Sequence, residues 1–211
     1  VSDHALALMF SCIRDLEKSR IGTFSKPSRP DMFELHDKTV GIIGIGRIGS
    51  QFAKKVAPLF NRILAYDPYK SAAYMHTYGA EKVSLSALLK QSHVISLHCN
   101  LSSETRHMLD KKAFHGMEQI PVIINTARGP VMDEKALLQA LQTGAVHSAG
   151  LDVFEQEPPA AGQKALLAHP KVVYTPHVAW YSNASVHTLQ RTAAQHVLAL
   201  LDGKTIEDEL T

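Results

Sequence analysis

The segment Val40-Gly41-Ile42-Ile43-Gly44-Ile45-Gly46-Arg47-Ile48-Gly49 constrains this chain more than any other. An apolar, β-branched run is followed at once by glycines spaced Gly-x-Gly-x-x-Gly, and then by residues with helical patterning. A glycine triplet alone arises often by chance; a strand before it and a helix after it are the context that gives it meaning. In that context Gly44 permits a tight turn, Gly46 lets the backbone approach a pyrophosphate, and Gly49 lets the helix pack closely on the strand. The helix N-terminus then offers unpaired N–H groups and the positive end of its dipole to phosphates. The competing reading is a merely glycine-rich strand-to-helix turn.

Asp67 weighs against that competitor. It closes the next apolar run, Leu64-Ala65-Tyr66-Asp67, about 20 residues beyond the glycines, where a carboxylate can accept hydrogen bonds from the hydroxyls of an adenosine ribose. A negative charge there repels a 2′-phosphate, and no arginine follows directly in Asp67-Pro68-Tyr69. The expected cofactor is therefore NAD rather than NADP. A solvent-exposed turn aspartate before Pro68 is the alternative, and it leaves the register with the glycines unexplained.

The rest of the chain repeats the same rhythm. β-Branched runs at 39–43, 62–65, 94–97, 122–124, 146–149 and 172–174 alternate with helical stretches at 47–57, 84–91, 133–142 and 183–201. Strands alternating with helices predict an α/β fold, a Rossmann-type doubly wound parallel sheet with helices on both faces. The expected organisation is a linking helix over 1–20, a loop over 21–38, the sheet domain over 39–180, a C-terminal helix over 181–203 and a tail over 204–211. Ser2 or Asp3 is expected to cap the first helix.

Composition excludes several classes of function. The charges are interspersed and sum to a net +2, without the basic block of a nucleic-acid or membrane-surface tract. Ala5 to Ile13 is too short to span a bilayer and lacks a basic leader. Cys12 and Cys99 are far apart and outside metal or disulfide spacings, so a reducing, cytoplasmic setting is the expectation.

Three segments join a chemically capable residue to backbone punctuation after an apolar strand: Asn125-Thr126-Ala127-Arg128-Gly129-Pro130, Gly150-Leu151-Asp152-Val153-Phe154-Glu155-Gln156-Glu157-Pro158-Pro159 and Thr175-Pro176-His177-Val178-Ala179-Trp180. In an open parallel sheet all three can face one cleft beyond the carboxyl ends of the strands.

With these segments in order, the sequence resembles the nucleotide-binding domain of the D-isomer-specific 2-hydroxyacid dehydrogenase family over nearly its whole length. Locally it resembles the C-terminal-binding-protein and phosphoglycerate dehydrogenase-like branch. Leu97-His98-Cys99-Asn100-Leu101, followed by Thr105, is similar to the family's cofactor-contacting loop. The resemblance implies Arg128 as the anchor of the substrate carboxylate and carbonyl, Glu157 as the acidic partner and His177 as the acid/base. It implies Arg47 and Ile48 at the pyrophosphate, and Thr126, Ala127 and Asp152 around the nicotinamide.

Those roles are chemically coherent. Reducing a 2-oxo acid needs a fixed cation for the carboxylate, and arginine is a planar two-pronged donor. It also needs a proton for the carbonyl oxygen; histidine titrates near neutrality, and a nearby carboxylate favours its protonated form. Formate dehydrogenases of the wider family carry glutamine where this chain has Glu157, so Glu157 implies proton-coupled hydride transfer. Bland alternatives stand beside each residue: a surface-turn Arg128, a solvated Glu157 with Glu155 as its rival, a structural His177. Cys99 reads as a small filler, since no activating base is evident. Trp180 either lines the pocket, as the resemblance to the corepressor branch implies, or is a core aromatic at a helix start.

Family members carry roughly a hundred residues ahead of this region, a small domain in size. Most of that substrate domain is expected to be absent from the sequence, leaving a chain that binds NAD(H) and forms a homodimer but turns over poorly alone. The alternatives are an NAD(H)-sensing corepressor-like interaction protein and a fragment without turnover.

Overall fold

Period-two alternation within the strands decides which way each side chain faces. In β1 (Thr39–Ile43), Val40 and Ile42 join one apolar cluster and Ile43 joins the other. The same division separates Ile63 and Ala65 from Leu64 in β2 (Arg62–Tyr66), Val94 from Ile95 and Leu97 in β4 (Val94–Leu97), and Val122 and Ile124 from Ile123 in β5 (Val122–Asn125). Strands apolar on both sides must be covered on both sides, which is the condition of a buried parallel sheet. The computed structural model of the protein describes residues 1–16 and 32–206, and these strands form such a sheet.

With β3 (Ala80–Lys82), β6 (Ser148–Leu151) and β7 (Val172–Tyr174), the sheet has seven strands in the order β3-β2-β1-β4-β5-β6-β7. Every pairing is parallel. One face is covered by α1 (Ser2–Arg14), α2 (Arg47–Val56) and α3 (Ala72–His76); the other by α4 (Leu85–Gln91), α5 (Lys111–His115), α6 (Glu134–Thr143) and α7 (Lys164–Leu167). The expected doubly wound α/β fold is the observed one. Chain order reverses between β1 and β4, so the crevice beyond their carboxyl ends is the place where such sheets receive ligands.

β3, α3, α5 and α7 were not expected from the sequence, and two element starts also differ from that reading. The run at 146–149 starts its strand two residues later, at Ser148, because Gly144 ends α6 in the left-handed conformation (φ 78°) and the chain needs three residues to reach the sheet. Helix α1 is not capped by Ser2 or Asp3. Its N-cap is Val1, and the two side chains instead take Lys55 Nζ at 2.8 and 2.6 Å. The expected end of that helix at 20, the part of the expected loop over 21–31 and the tail from 207 lie outside the described residues.

The chain divides into two compact units, Val1–Ala179 and Trp180–Thr211. Helix α1 lies within the first unit, its Ala5, Leu8, Met9, Cys12 and Ile13 buried at helical spacing. The second unit is built on α8 (Asn183–Leu201), whose N-terminus is closed by a reciprocal Ser182–Ser185 box. No helix among the described residues is long and apolar enough to cross a membrane.

Candidate cofactor and acid–base site

The glycines act through contact distances. Gly44 has φ 85°, and a Cβ there would stand 2.6 Å from the Cys99 nitrogen. A Cβ on Gly49 would stand 2.0 Å from the Gly44 carbonyl oxygen. Any larger residue at either place separates β1 from β4 or α2 from the turn. At Gly46 a Cβ would meet nothing within 4 Å. It faces the cleft instead.

That cleft has a volume of about 620 Å³ and is lined by Gly44, Gly46, Tyr66, Asp67, Tyr69, His98, Cys99, Asn100, Glu104 and Thr105, among others. Asp67 does more than close β2: Oδ2 accepts from the Ile45 N–H at 3.0 Å and Oδ1 from the Tyr69 N–H at 3.0 Å, tying the glycine turn to the β2 loop. A carboxylate offers about four lone-pair sites, so it retains acceptor capacity toward the cleft. Thr105 spends its hydroxyl within its own loop, donating to the Asn100 carbonyl at 2.7 Å and accepting from the Ser102 N–H at 2.8 Å. Arg47 and Ile48 are exposed on the first turn of α2 and do not line the cleft.

His98 and Cys99 occupy the junction of β1 and β4. The His98 N–H donates to the Ile43 carbonyl at 2.7 Å, its Nε2 shares a hydrogen bond with Ser96 Oγ at 2.9 Å, and its ring tilts against Phe52. Burial pushes the His98 imidazole down to about 3, so it is neutral at physiological pH. Burial also pushes the Cys99 thiol up to about 11. An inert filler, as expected, is what such a thiol makes.

The loop after β5 is shaped by Asn125, which sequence reading passed over. Fully buried, its Oδ1 accepts from the Ala127 N–H at 3.0 Å while Nδ2 donates to the Arg128 carbonyl at 3.1 Å. This side chain bends Thr126, Ala127 and Arg128 off the strand end. Arg128 is exposed, with Nη1 on the Ala127 carbonyl at 2.7 Å. Gly129 holds this loop against the segment after β6, since a Cβ there would lie 1.9 Å from the Phe154 carbonyl.

His177 and Glu157 meet. His177 Nδ1 lies 2.6 Å from Glu157 Oε2, and Glu157 Oε1 accepts from the Phe154 N–H at 2.9 Å. Glu155, the rival acid, is committed elsewhere: Oε1 accepts from the Glu134 N–H at 2.9 Å and Oε2 lies 3.4 Å from His107 Nε2. His177 has φ 54°, a conformation that costs a non-glycine residue on the order of 1–3 kcal/mol and persists only where neighbours enforce it.

The enforcer is Asp152. Its carbonyl accepts from the His177 N–H at 2.8 Å, Oδ1 from the Val178 N–H at 2.9 Å and from Thr175 Oγ1 at 2.5 Å, and Oδ2 from the Ala179 N–H at 2.8 Å. A hydroxyl has one proton, and Thr175 gives it to Asp152; Thr175 Oγ1 therefore accepts from His4 Nε2–H, 2.8 Å away on α1. Expected beside a nicotinamide, Asp152 thus has its carboxylate turned into the protein, holding the His177 turn. Trp180 belongs to the second unit, where the residue is 49% exposed and its ring stands edge-on to Tyr181 at 5.6 Å.

Residues 4–179 match the family described as D-isomer specific 2-hydroxyacid dehydrogenase, NAD binding domain. The chain belongs to this family. It is 35% identical over 210 residues to a glyoxylate/hydroxypyruvate reductase B from an Enterobacter species, which covers 96% of this chain and 64% of that protein. It is 38% identical over 183 residues to a hydroxypyruvate reductase from Thermotoga maritima, covering 84% of this chain and 58% of the relative. The D-lactate dehydrogenase of Aquifex aeolicus, solved with NAD and lactic acid, superposes with a TM-score of 0.86 at 32% identity over 96% of this chain and 66% of that one. The chain thus spans somewhat under two thirds of the length of the first two relatives.

The residues of this 2-hydroxyacid dehydrogenase domain fit the dinucleotide its family name implies. Gly46 leaves open space at the start of α2, whose first turn carries no acidic residue to oppose a phosphate. On the loop after β5, Thr126 Oγ1 is buried without a hydrogen-bond partner within the protein, so its hydrogen-bonding capacity is left to a bound group or water. What sequence reading missed, Asn125, Thr175 and His4, acts through hydrogen bonds to other site residues.

Proposed function

We propose that this chain holds NAD(H) in the cleft between β1, β2 and β4 and supplies the acid/base pair for hydride transfer between it and a small 2-oxo or 2-hydroxy acid. One observation carries the reading: the His177–Glu157 contact of 2.6 Å, on loops beyond the carboxyl ends of the sheet that also presents the glycine turn.

Bound NADH supplies the hydride to the carbonyl carbon. The chain supplies the rest. Glu157 accepts from Nδ1–H and so fixes the tautomer and orientation of His177, making Nε2 the ring position that delivers a proton to the carbonyl oxygen in reduction and takes it back in oxidation. Arg128 uses one N–H on the Ala127 carbonyl and has four others for a substrate carboxylate. Asp67 accepts from the ribose, Arg47 and Ile48 flank the pyrophosphate at the α2 N-terminus, and His98, Asn100 and Thr105 shape the adenosine side. Thr126 and Ala127 meet the nicotinamide. Glyoxylate and hydroxypyruvate, from a relative's name, and pyruvate, the oxidised form of the lactic acid bound in the Aquifex structure, are the acids to try first.

The reading includes a homodimer in a reducing, cytoplasmic setting, and low turnover by these 211 residues alone, since the relatives carry more than a further third of chain beyond the matched part. NADH titration by fluorescence tests the cofactor, and NADH oxidation with the three acids, on the protein as encoded, tests the chemistry. His177→Gln is expected to lower kcat by about 100- to 10,000-fold with NADH affinity changed less than about twofold. A wild-type chain that binds no NADH, or a His177→Gln variant with full kcat, would overturn the proposal.

A further inference from the structure

The cofactor cleft has a second carboxylate besides Asp67. Tyr69, two residues past Asp67, is fixed by its own N–H on Asp67 Oδ1 at 3.0 Å. Its hydroxyl reaches across the cleft and donates to Glu104 Oε2 at 2.6 Å. Glu104 belongs to the opposite wall, in the loop that Thr105 and Ser102 knit together. Asp67, Tyr69 and Glu104 all line the cleft. The tyrosine therefore draws the carboxylate of one wall toward the carboxylate of the other.

No cation balances the pair from the lining. Among the described residues that line the cleft there is no lysine or arginine. Arg47, Lys70 and Arg106 are near in sequence, yet none of the three lines it, and Lys70 Nζ is held over the Tyr74 ring, 5.2 Å from its centre. His98, with its imidazole near 3, brings no positive charge at neutral pH. Two phosphates of a dinucleotide can still be met by the backbone N–H groups of the α2 N-terminus, which is a local interaction. A third phosphate on the adenosine would face both carboxylates.

We propose that Glu104, held across the cleft by Tyr69, is a second determinant of cofactor choice that acts with Asp67 against a dinucleotide carrying an additional phosphate on its adenosine. The inference rests on the reading that this cleft takes NAD(H). Its size follows from charges several ångströms apart at a wet cleft mouth: removing one carboxylate favours the phosphorylated cofactor by about fivefold at low salt, with the gain shrinking as salt screens it.

The test is the ratio of the NADPH and NADH dissociation constants, measured by fluorescence at about 0.02 M and about 0.5 M salt. Glu104→Gln keeps an acceptor for the tyrosine and removes only the charge; the ratio is expected to fall about fivefold at low salt and by less at high salt. Tyr69→Phe keeps the charge and removes the tether, and is expected to give a smaller fall in the same direction. A ratio unchanged in Glu104→Gln overturns the role of Glu104, and one unchanged in Tyr69→Phe overturns the role of the tether. Wild-type protein that binds neither dinucleotide overturns the cofactor reading itself, so the failures are distinguishable.

Discussion

His98 shows how one buried side chain sets a property of the whole molecule. Its imidazole is driven from the ordinary 6.5 to about 3 by burial. Above 6.5 it is neutral in both folded and unfolded chains and costs nothing. As pH falls through 6.5 only the unfolded chain takes up the proton, and folding free energy declines by about 1.4 kcal/mol per pH unit until the folded value is approached. Urea unfolding between pH 7 and pH 4 is expected to show this slope, and His98→Asn to flatten it. His93, also held below its usual range by burial, leaves a residual slope in the variant; an acid limb as steep as wild type would refute the assignment. Beside it, the Cys99 thiol near 11 is almost wholly protonated at pH 8. Alkylation by iodoacetamide is expected to be slow there, to accelerate with pH, and to be suppressed by NADH because Cys99 lines the cleft. Fast alkylation at pH 7, indifferent to NADH, would contradict both burial and the site.

At the scale of elements, the strand–turn–helix around the glycines separates two kinds of glycine. Gly49→Ala forces a Cβ to within 2.0 Å of the Gly44 oxygen, so α2 must shift; this variant is expected to lose stability, by about 1–3 kcal/mol as for other overpacked contacts, along with NADH binding. Gly46→Ala meets nothing within 4 Å at φ −74°, so its melting temperature is expected to match wild type while NADH affinity falls, because the methyl occupies the approach to the phosphates. Equal stability loss in both variants would show that the turn, and not the ligand, demands Gly46. This unit was readable in the sequence because every restraint in it is local: the strand, the turn residues and the helix start are contiguous. β1, β2, β4, β5 and β7 were readable for a related reason, since each is a short β-branched run in a sheet buried on both faces. β3 was not, because Ala80–Lys82 is three residues with two exposed charged side chains at the sheet edge, leaving no apolar pattern to find. His177 and Glu157 could be named from their motifs, but the function of Asp152 could not. Its partners are 23 to 27 residues away, and His4 reaches the same network from 171 residues before Thr175.

At the scale of the molecule, the first unit, Val1–Ala179, contains both apolar clusters, the entire sheet and every candidate cofactor and acid/base residue, while Trp180, the candidate pocket aromatic, lies in the second. Among its described residues the second unit, with α8, contributes no other residue of the candidate site. Cofactor binding is expected to be a property of the first unit, residues 4–179 matching the family's NAD binding domain, and to couple to that unit's folding by mass action. A ligand at 100 times its Kd stabilises the state that binds it by about 2.7 kcal/mol, which in a domain of this size raises the melting temperature by roughly 5–10 °C. The full chain and a chain ending at Ala179 are both expected to show that increment with NADH, whatever their melting temperatures without it. A truncated chain that folds cooperatively but shows no increment would place part of the cofactor site in the second unit. His177→Gln is expected to retain the increment in full, because the side chain it alters moves a proton and leaves the dinucleotide cradle intact; that variant separates the binding half of the crevice from its chemical half.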